Sequence, residues 1–334
     1  MSDDNIIVSV TELTVTIQNV LTTAGVSDVA AKSTAMALAD ADACGQQGHG
    51  LRRLQAYVAQ VRTGKICGNA IPTATQLKTG YVQIDAASGF AYPALELAVR
   101  KLIETAPAAG IACAAVNHSH HSGRMGYWAE QLAAAGLLAL AFSNSPKAMA
   151  PWPVGAAVYG TNPIAFAAPR KNAPPLFVDL SLSKIARGKV MASKQRGESI
   201  AQGLAVDATG QPTTDATAAL AGALLPMGEA KGSALALMVE ILCAPLAGGN
   251  LAFDASSFFD DSGTPPYIGQ LLIAIAPQQE NFHAQMERLF CRIAEAAPNT
   301  RLPGENSRTT REFATRHGIT LPRALWEEVL GLTK

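Results

Sequence analysis

Two periodicities alternate along most of the chain, and that alternation constrains its fold more than any other feature. "GYVQIDA" (80–86) places apolar residues at every second position, the mark of a half-buried strand. "YPALELAVRKLIETAPAAG" (92–110) then reads as a helix and "IACAAVNH" (111–118) as a buried strand. "RMGYWAEQLAAAG" (124–136) is helical again, and "LLALAFSNS" (137–145) strand-like. Further on, "LFVDLS" and "LLIAIAP" read as strands, 228–247 as a long apolar helix, 278–297 as an amphipathic helix, and two more helices lie around "RLPGENSRTTREF". Such alternation predicts an α/β fold, ordinarily with a parallel sheet.

Ahead of this region, residues 9–63 read as helical. Apolar positions recur at helical spacing in "SVTELTVTIQNVLTTAG", Asp28 is placed to cap an alanine-rich helix, and "HGLRRLQAYVAQVRTG" follows, with Gly25 and Gly64 as stops. From 145 to 175 prolines punctuate a loop-like stretch. The expected organisation is an N-terminal helical region on the substrate side (1–78), an α/β cofactor-binding domain (79–277) and C-terminal helices (278–334) packing against the first region.

With 334 residues, 49% hydrophobic and 16% charged, the chain can bury a large core and suits about two domains. Its net charge of zero argues against a nucleic-acid or anionic-membrane partner, because no basic excess is present to neutralise phosphates. Five scattered cysteines form no CxxC pair, which fits a reducing cytoplasm better than a disulfide framework. "MSDDNIIV" lacks an apolar signal core, and no apolar run reaches a membrane span. A soluble, cytoplasmic protein is the expectation.

Chemistry concentrates in a few stretches. Half of the six histidines fall in "NHSHHSGRMG" (117–126), at His118, His120 and His121. Adjacent histidines diverge on a strand or a helix, HExxH is absent and no carboxylate is near in sequence, so a metal site is not expected. The triplet instead sits at a strand-to-helix junction, where backbone N–H groups favour an anion and Arg124 would add charge. Polar strand-end residues facing water would give the same pattern. In "GHGLRRLQAY" (48–57), Leu51, Leu54, Val58 and Val61 form an apolar stripe, and His49 and Arg53, four apart, share another helix face. A guanidinium beside an imidazole suits a carboxylate next to a reacting carbonyl. A turn histidine and a surface arginine are the plainer alternative. "GTNPIAFAAP" and "EAKGSALALMVE" carry glycines that permit close backbone approach, and Lys231 at an apolar helix start invites an anionic partner. GxGxxG, the P-loop and GxSxG are missing, so a Rossmann dehydrogenase is not indicated.

Taken in order from about residue 40 to 330, these stretches together with "MAPWPVGAAVYG", "VDLSLSKIARGKV" and "RLPGENSR" resemble the malate/L-lactate dehydrogenase family that lacks a Rossmann fold. That family includes ureidoglycolate and sulfolactate dehydrogenases and the Δ1-piperideine-2-carboxylate/Δ1-pyrroline-2-carboxylate reductases. The resemblance implies a mixed, mainly antiparallel central sheet in place of a parallel one, a helical domain from both chain ends, NADPH or NADH as cofactor, a small carboxylate-bearing substrate and a homodimer. It also implies His49 and His121 as catalytic histidines, Arg53, Thr161 and Arg187 at the substrate, and cofactor contacts at His121, Ser122, Gly123, Arg124 and Met125. Further cofactor contacts are implied at Asp179, Leu180 and Ser181, at Lys231 and Gly232, and at Gly304, Glu305, Asn306 and Arg308.

Two departures stand out. Gly48 replaces the serine of the family's Ser-His-Gly, and Lys189 stands where the imine reductases carry aspartate, so a serine–histidine–aspartate relay is incomplete. "KGSALALMVE" and "GGN", by contrast, are closer to the imine reductases. The expected reaction is hydride transfer between the nicotinamide and C2 of a small 2-oxo or 2-hydroxy acid of the malate, lactate or sulfolactate type. Reduction of a cyclic 2-imino acid to proline or pipecolate is the alternative. An inactive nucleotide-binding protein and a metal-dependent hydrolase are the remoter readings. Charge alone offers Arg308 or Arg311 for a 2′-phosphate.

Overall fold

A computed structural model of the chain describes residues 4–297 and 299–333. It opens with strand β1 (Asn5–Val8) and helices α1 (Val10–Thr23) and α2 (Asp28–Ala43). Serines cap both helices: Ser9 Oγ accepts from Glu12 N–H and Ser27 Oγ from Ala30 N–H. Asp28, expected as the cap, is instead the first helical residue. Ser27, with its extended backbone, reaches the orphan N–H, while the Asp28 charge sits in the first turn where the helix dipole favours it.

Helix α3 (Leu54–Arg62) follows, then β2 (Thr73–Lys78), β3 (Tyr81–Asp85), α4 (Ala91–Ala109), β4 (Ile111–Ser119), α5 (Met125–Ala134), β5 (Leu138–Ser143), β6 (Ile164–Ala168) and β7 (Leu176–Leu180). Next come α6 (Arg187–Arg196), β8 (Ala205–Val206), β9 (Pro212–Thr213), α7 (Ala216–Ala221) and β10 (Ala223–Leu224). Helix α8 (Ala230–Ile241) continues as a π-turn, Leu242–Leu246, and leads to β11 (Ile268–Ile275). The chain ends with α9 (Phe282–Ala296), α10 (Glu305–His317), β12 (Ile319–Pro322) and α11 (Arg323–Gly331).

Seven strands form the main sheet in the order β2-β3-β4-β11-β5-β6-β7. Only β3 and β4 pair in parallel, joined by the crossover helix α4; every other pair is antiparallel. Alternation alone suggests a parallel sheet, and the reason that fails is specific. Strands β4 and β5 do flank a helix and run parallel to each other, but β11 inserts between them, antiparallel to both. The mixed, mainly antiparallel sheet implied by the family resemblance is the one found. It also begins at Thr73, ahead of the change in sequence character near residue 79.

Alternating side chains build two cores. Ala114, Val116, Leu272 and Ala274 face α4, α5 and the N-terminal helices, whereas Ala115 and Leu271 face α8 and the π-turn. The first core is continuous from Leu13 and Leu38 through Trp128 to Ala314 and Trp326. The chain ends are tied together by the β1–β12 ladder, and α10 and α11 lie against α2 and α1. The place where α3, the start of α4 and the β4–α5 junction meet brings together His49, Arg53 and His121.

Candidate active site

The segment carrying His49 and Arg53 is two short 3-10 turns, Gln47–His49 and Leu51–Arg53, rather than one α-helix. A carboxylate causes the break. Asp42 Oδ2 accepts the Leu51 N–H at 2.6 Å and occupies the place a Cβ on residue 50 would need, so only glycine fits there. Burial pushes the Asp42 carboxyl up to about 7, against the opposing pull of the Leu51 N–H and the Arg52 charge. Leu51, Leu54 and Val58 are buried as expected, but Val61 is only half-buried. His49 and Arg53 still converge, because Arg53 Nε donates to Gly48 O at 2.8 Å.

Four aromatic residues from separate elements form one chain of hydrogen bonds. His49 Nδ1 lies 3.2 Å from His121 Nε2, with the two rings within 2° of parallel. His121 Nδ1 is 2.6 Å from the Tyr57 hydroxyl, which is 2.8 Å from the Tyr92 hydroxyl. Both ring nitrogens of His121 are therefore engaged, and among the described residues His49 Nε2 has no protein partner. Burial, reinforced by the Arg53 and Arg124 charges, lowers the His49 imidazole to about 3. Burial and the Arg53 charge, followed by the neighbouring histidines, hold His121 well below its ordinary value. Burial pushes Tyr57 up to about 12. Alone, the site is a neutral hydrogen-bonded chain beside a cation that no carboxylate meets among the described residues.

That cation is Arg53. Its residue is 8% exposed, among the described residues no carboxylate pairs with it and Nη1 has no partner, and the Phe259 ring lies 4.5 Å from the guanidinium. A buried charge so placed is costly unless an anion arrives. His120 is also buried, with both ring nitrogens unpartnered and the Phe258 ring 5.2 Å away. Phe258 packs edge-on to His121 as well. His118 is separate: half-exposed, it lies 3.0 Å from Asp85, a carboxylate the local sequence does not reveal. Among the described residues no group of three or more His, Cys, Asp or Glu is arranged to hold a metal.

The expected cofactor residues line up along β7, at the edge of the sheet. At the start of that strand, Arg308 donates to Pro175 O while its Nε is buried without a partner. Gly304, at φ 85°, lies so close to Phe177 that a Cβ would approach Cδ1 to 2.7 Å. Glu305 accepts the Leu302 N–H, and Asn306 accepts from Arg301. Farther along, Asp179 accepts the Gly126 N–H at 2.9 Å and so caps α5. Ser122, Gly123 and Met125 are buried at the same junction. Leu180, the last residue of the strand, is exposed; beyond it Ser181 and Ser183 share a hydrogen bond, and Leu182 N–H donates to Thr161 O. The Met227 N–H donates to Leu182 O, which places exposed Lys231 and buried Gly232 beside this loop. Arg187 begins α6 and makes one long contact to Leu220 O, and Gly188 adjoins Gly48.

Arg124 does not add net charge at the helix start. It is bound by Asp40 at 2.8 Å and Glu130 at 2.6 Å, and Arg311 bridges the same two carboxylates. Arg311 is thus committed to this network, whereas Arg308 is not.

Sequence reasoning missed Tyr57, Tyr92, Asp42, Lys65 and the Phe258–Phe259 pair. Tyr57 carried a usable signal, because it follows Arg53 by four residues. The two phenylalanines carried none, since loop residues far along the chain meet the site only through tertiary packing.

A model of the malate/L-lactate dehydrogenase family matches residues 8–330. The (2R)-3-sulfolactate dehydrogenase (NADP(+)) of Chromohalobacter salexigens is 44% identical over 311 residues, covering 91% of each chain. The Δ1-pyrroline-2-carboxylate/Δ1-piperideine-2-carboxylate reductase of Pseudomonas putida is 39% identical over 330 residues, covering 96% of this chain and 94% of that one. The crystal structure of Δ1-piperideine-2-carboxylate reductase from Pseudomonas syringae pvar. tomato has a TM-score of 0.92 at 36% identity, over 98% of this chain and 99% of the other.

Proposed function

We propose that this chain, which belongs to the malate/L-lactate dehydrogenase family, transfers hydride between NADPH or NADH and C2 of a small 2-oxo acid, with the 2-hydroxy acid as the other product or substrate. The observation that carries the reading is Arg53, a buried and unpaired guanidinium set beside the His49–His121 pair. A carboxylate is the planar, two-oxygen anion that such a group binds best.

The nicotinamide supplies the hydride when bound, and accepts it in the reverse direction. One observation along β7 suits a dinucleotide: the buried Arg308 Nε has no partner among the described residues and can donate to a phosphate oxygen. Ser122–Met125, Asp179–Ser181, Lys231–Gly232 and Gly304–Arg308 would hold it, with Arg308 taking a phosphate. Arg53 fixes the substrate carboxylate and thereby orients the C2 oxygen. His49 Nε2, the ring nitrogen of the pair without a protein partner, protonates that oxygen as negative charge grows on it. His121 and Tyr57 stand behind His49 and set its tautomer. Burial is the larger cause that holds both histidines neutral and the Arg53 charge the next, so binding of the carboxylate removes the second of these and makes His49 a better proton carrier when substrate is in place.

The neutrality of these histidines also favours a second reading, reduction of a cyclic 2-imino acid. A protonated imine already carries its proton and needs no acid at the hydride step. The missing relay serine would matter less in that reaction, and a Cβ at residue 48 would meet nothing within 4 Å. Assays of pyruvate, oxaloacetate and Δ1-piperideine-2-carboxylate with each cofactor separate the two. Turnover of 2-oxo acids, lost on His49→Ala, is the expected result; turnover of the imine alone replaces the first reading by the second.

The protein is further proposed to act as a homodimer in the cytoplasm. Support for the dimer comes from α8, whose Leu235, Leu237, Met238 and Ile241 are all exposed on a single chain. Light scattering that gives a monomer mass would refute it. Among the described residues no helix is long and apolar enough to cross a membrane.

A further inference from the structure

The segment from Ser257 to Ser262 has no regular secondary structure, yet one buried amine organises it. Lys65 Nζ, on a side chain with no solvent exposure, donates to Ser257 O at 2.8 Å, Ser262 O at 2.7 Å and Asp260 O at 3.1 Å, and contacts Asp260 Oδ1 at 3.2 Å. The end of α3 adds two clamps: Gln60 Nε2 donates to Asp260 O and Thr63 Oγ1 to Asp261 O. The first turn of that helix and the turn before it carry Tyr57 and Arg53. One rigid element therefore fixes both the carboxylate anchor and the loop that faces it.

The loop presents two aromatic rings to the site. Phe258, buried, packs against His120 and His121 at centroid distances of 5.2 and 5.3 Å. Phe259, partly exposed, covers a face of the Arg53 guanidinium. Three cations bear on the site histidines: Arg53, Lys65 and Arg124. Lys65 is saturated by loop oxygens, and Arg124 is held between Asp40 and Glu130. Of these three, Arg53 is the one that meets no carboxylate among the described residues.

We infer that the Ser257–Ser262 loop, pinned by Lys65, is the wall that selects the substrate side chain, and that it admits an apolar substituent carrying no second charge. The inference rests on the hydride-transfer reading and narrows its substrate class to 2-oxo or 2-imino acids with a single acidic group. Phe258 and Phe259 are the specificity-determining residues, and Lys65 is a positioning residue acting through them.

The test is a kcat/KM profile of the full-length protein, with NADPH and with NADH, over pyruvate, 2-oxobutyrate, 2-oxo-4-methylpentanoate and Δ1-piperideine-2-carboxylate as monocarboxylates, against oxaloacetate and sulfopyruvate as dianions. The best monocarboxylate is expected to exceed both dianions by tenfold or more. Phe258→Ala is expected to shift the ratio of the branched to the small 2-oxo acid by tenfold or more. Lys65→Met is expected to raise KM across the series more than it lowers kcat. Because Lys65→Met removes a buried group, Asp260→Asn, altered at an exposed carboxylate, serves as the second variant, with a two- to threefold rise in KM. A dianion as best substrate overturns the inference, as do unchanged ratios in Phe258→Ala and Phe259→Ala. If the folded protein turns over none of the six, the hydride-transfer reading falls and takes the inference with it.

Discussion

Two buried arginines, Arg53 and Arg124, show how the same side chain serves opposite ends. Arg124 is 3% exposed and meets two carboxylates, with a second arginine completing a neutral four-membered cluster that ties α2, α5 and α10 together. Arg53 is nearly as buried, has no carboxylate and lies among rings that burial and its own charge keep neutral. The first arginine holds the fold together. The second carries an uncompensated charge that, in the proposed function, the substrate carboxylate would neutralise. Burial alone does not distinguish the two; the presence or absence of a matching anion does.

The contrast is sharpest in mutational cost. Arg53→Ala is expected to lower kcat/KM by about a thousandfold, or about 4 kcal/mol of transition-state stabilisation, while leaving the melting temperature unchanged or slightly higher. A melting temperature that falls steeply would show that Arg53 is paired in a way its surroundings do not suggest. Arg124→Met is expected to do the reverse. It strands two carboxylates and should cost about 3 kcal/mol of stability, the low end for a buried pair, because Arg311 is about a third exposed and keeps water near. Denaturant unfolding measures it, and a variant as stable as the parent would dissolve the distinction.

A smaller effect lies in pH. His49 and His120 are each lowered to about 3 and His121 is also lowered, so the unfolded chain binds more protons below the ordinary histidine value near 6.5. Their contribution to stability is complete above pH 6.5 and is lost as pH falls towards 3, at about 1.4 kcal/mol per pH unit for each histidine. Asp42, raised to about 7, works in the opposite sense, losing stability as pH rises from 4 to 7. His120→Asn should therefore flatten the fall in stability between pH 6 and 4.5 by about one proton's worth. An unchanged slope would mean that His120 is not neutral in the folded protein.

The sequence exposed the parts of this contrast that depend on local spacing. Strand and helix alternation located five of the seven strands of the main sheet, and the ordered motifs located His49, Arg53 and His121; β2 lay ahead of the change in sequence character, and β6 lay inside the proline-punctuated stretch read as a loop. What it could not expose was pairing over distance. Asp40 and Glu130 lie far in sequence from Arg311, and nothing in "GRMG" says that Arg124 is already neutralised. The parallel-sheet expectation failed for the same reason, since local periodicity finds a strand but not its neighbours. At "GHGLRRL" the local rule itself was overridden: the spacing suited an α-helix, and a carboxylate from α2 divided it into two tighter turns. Gly50 was the visible trace of that intrusion, and Asp42 its unseen cause.

The place of β11 at the centre of the sheet has a consequence for how the molecule comes into being. Its neighbours β4 and β5 leave the ribosome far ahead of it, and until residues 268–275 appear each has an unpaired edge facing the other. A nascent chain must carry those two open edges through the synthesis of β6 to α8, with the apolar faces of both cores unsealed. Closure of the sheet is then a late, non-local event, the kind that slows folding. Chains ending before residue 268 should be captured by chaperones or aggregate rather than persist as smaller folded proteins, although every residue of the proposed proton chain would already be present in them.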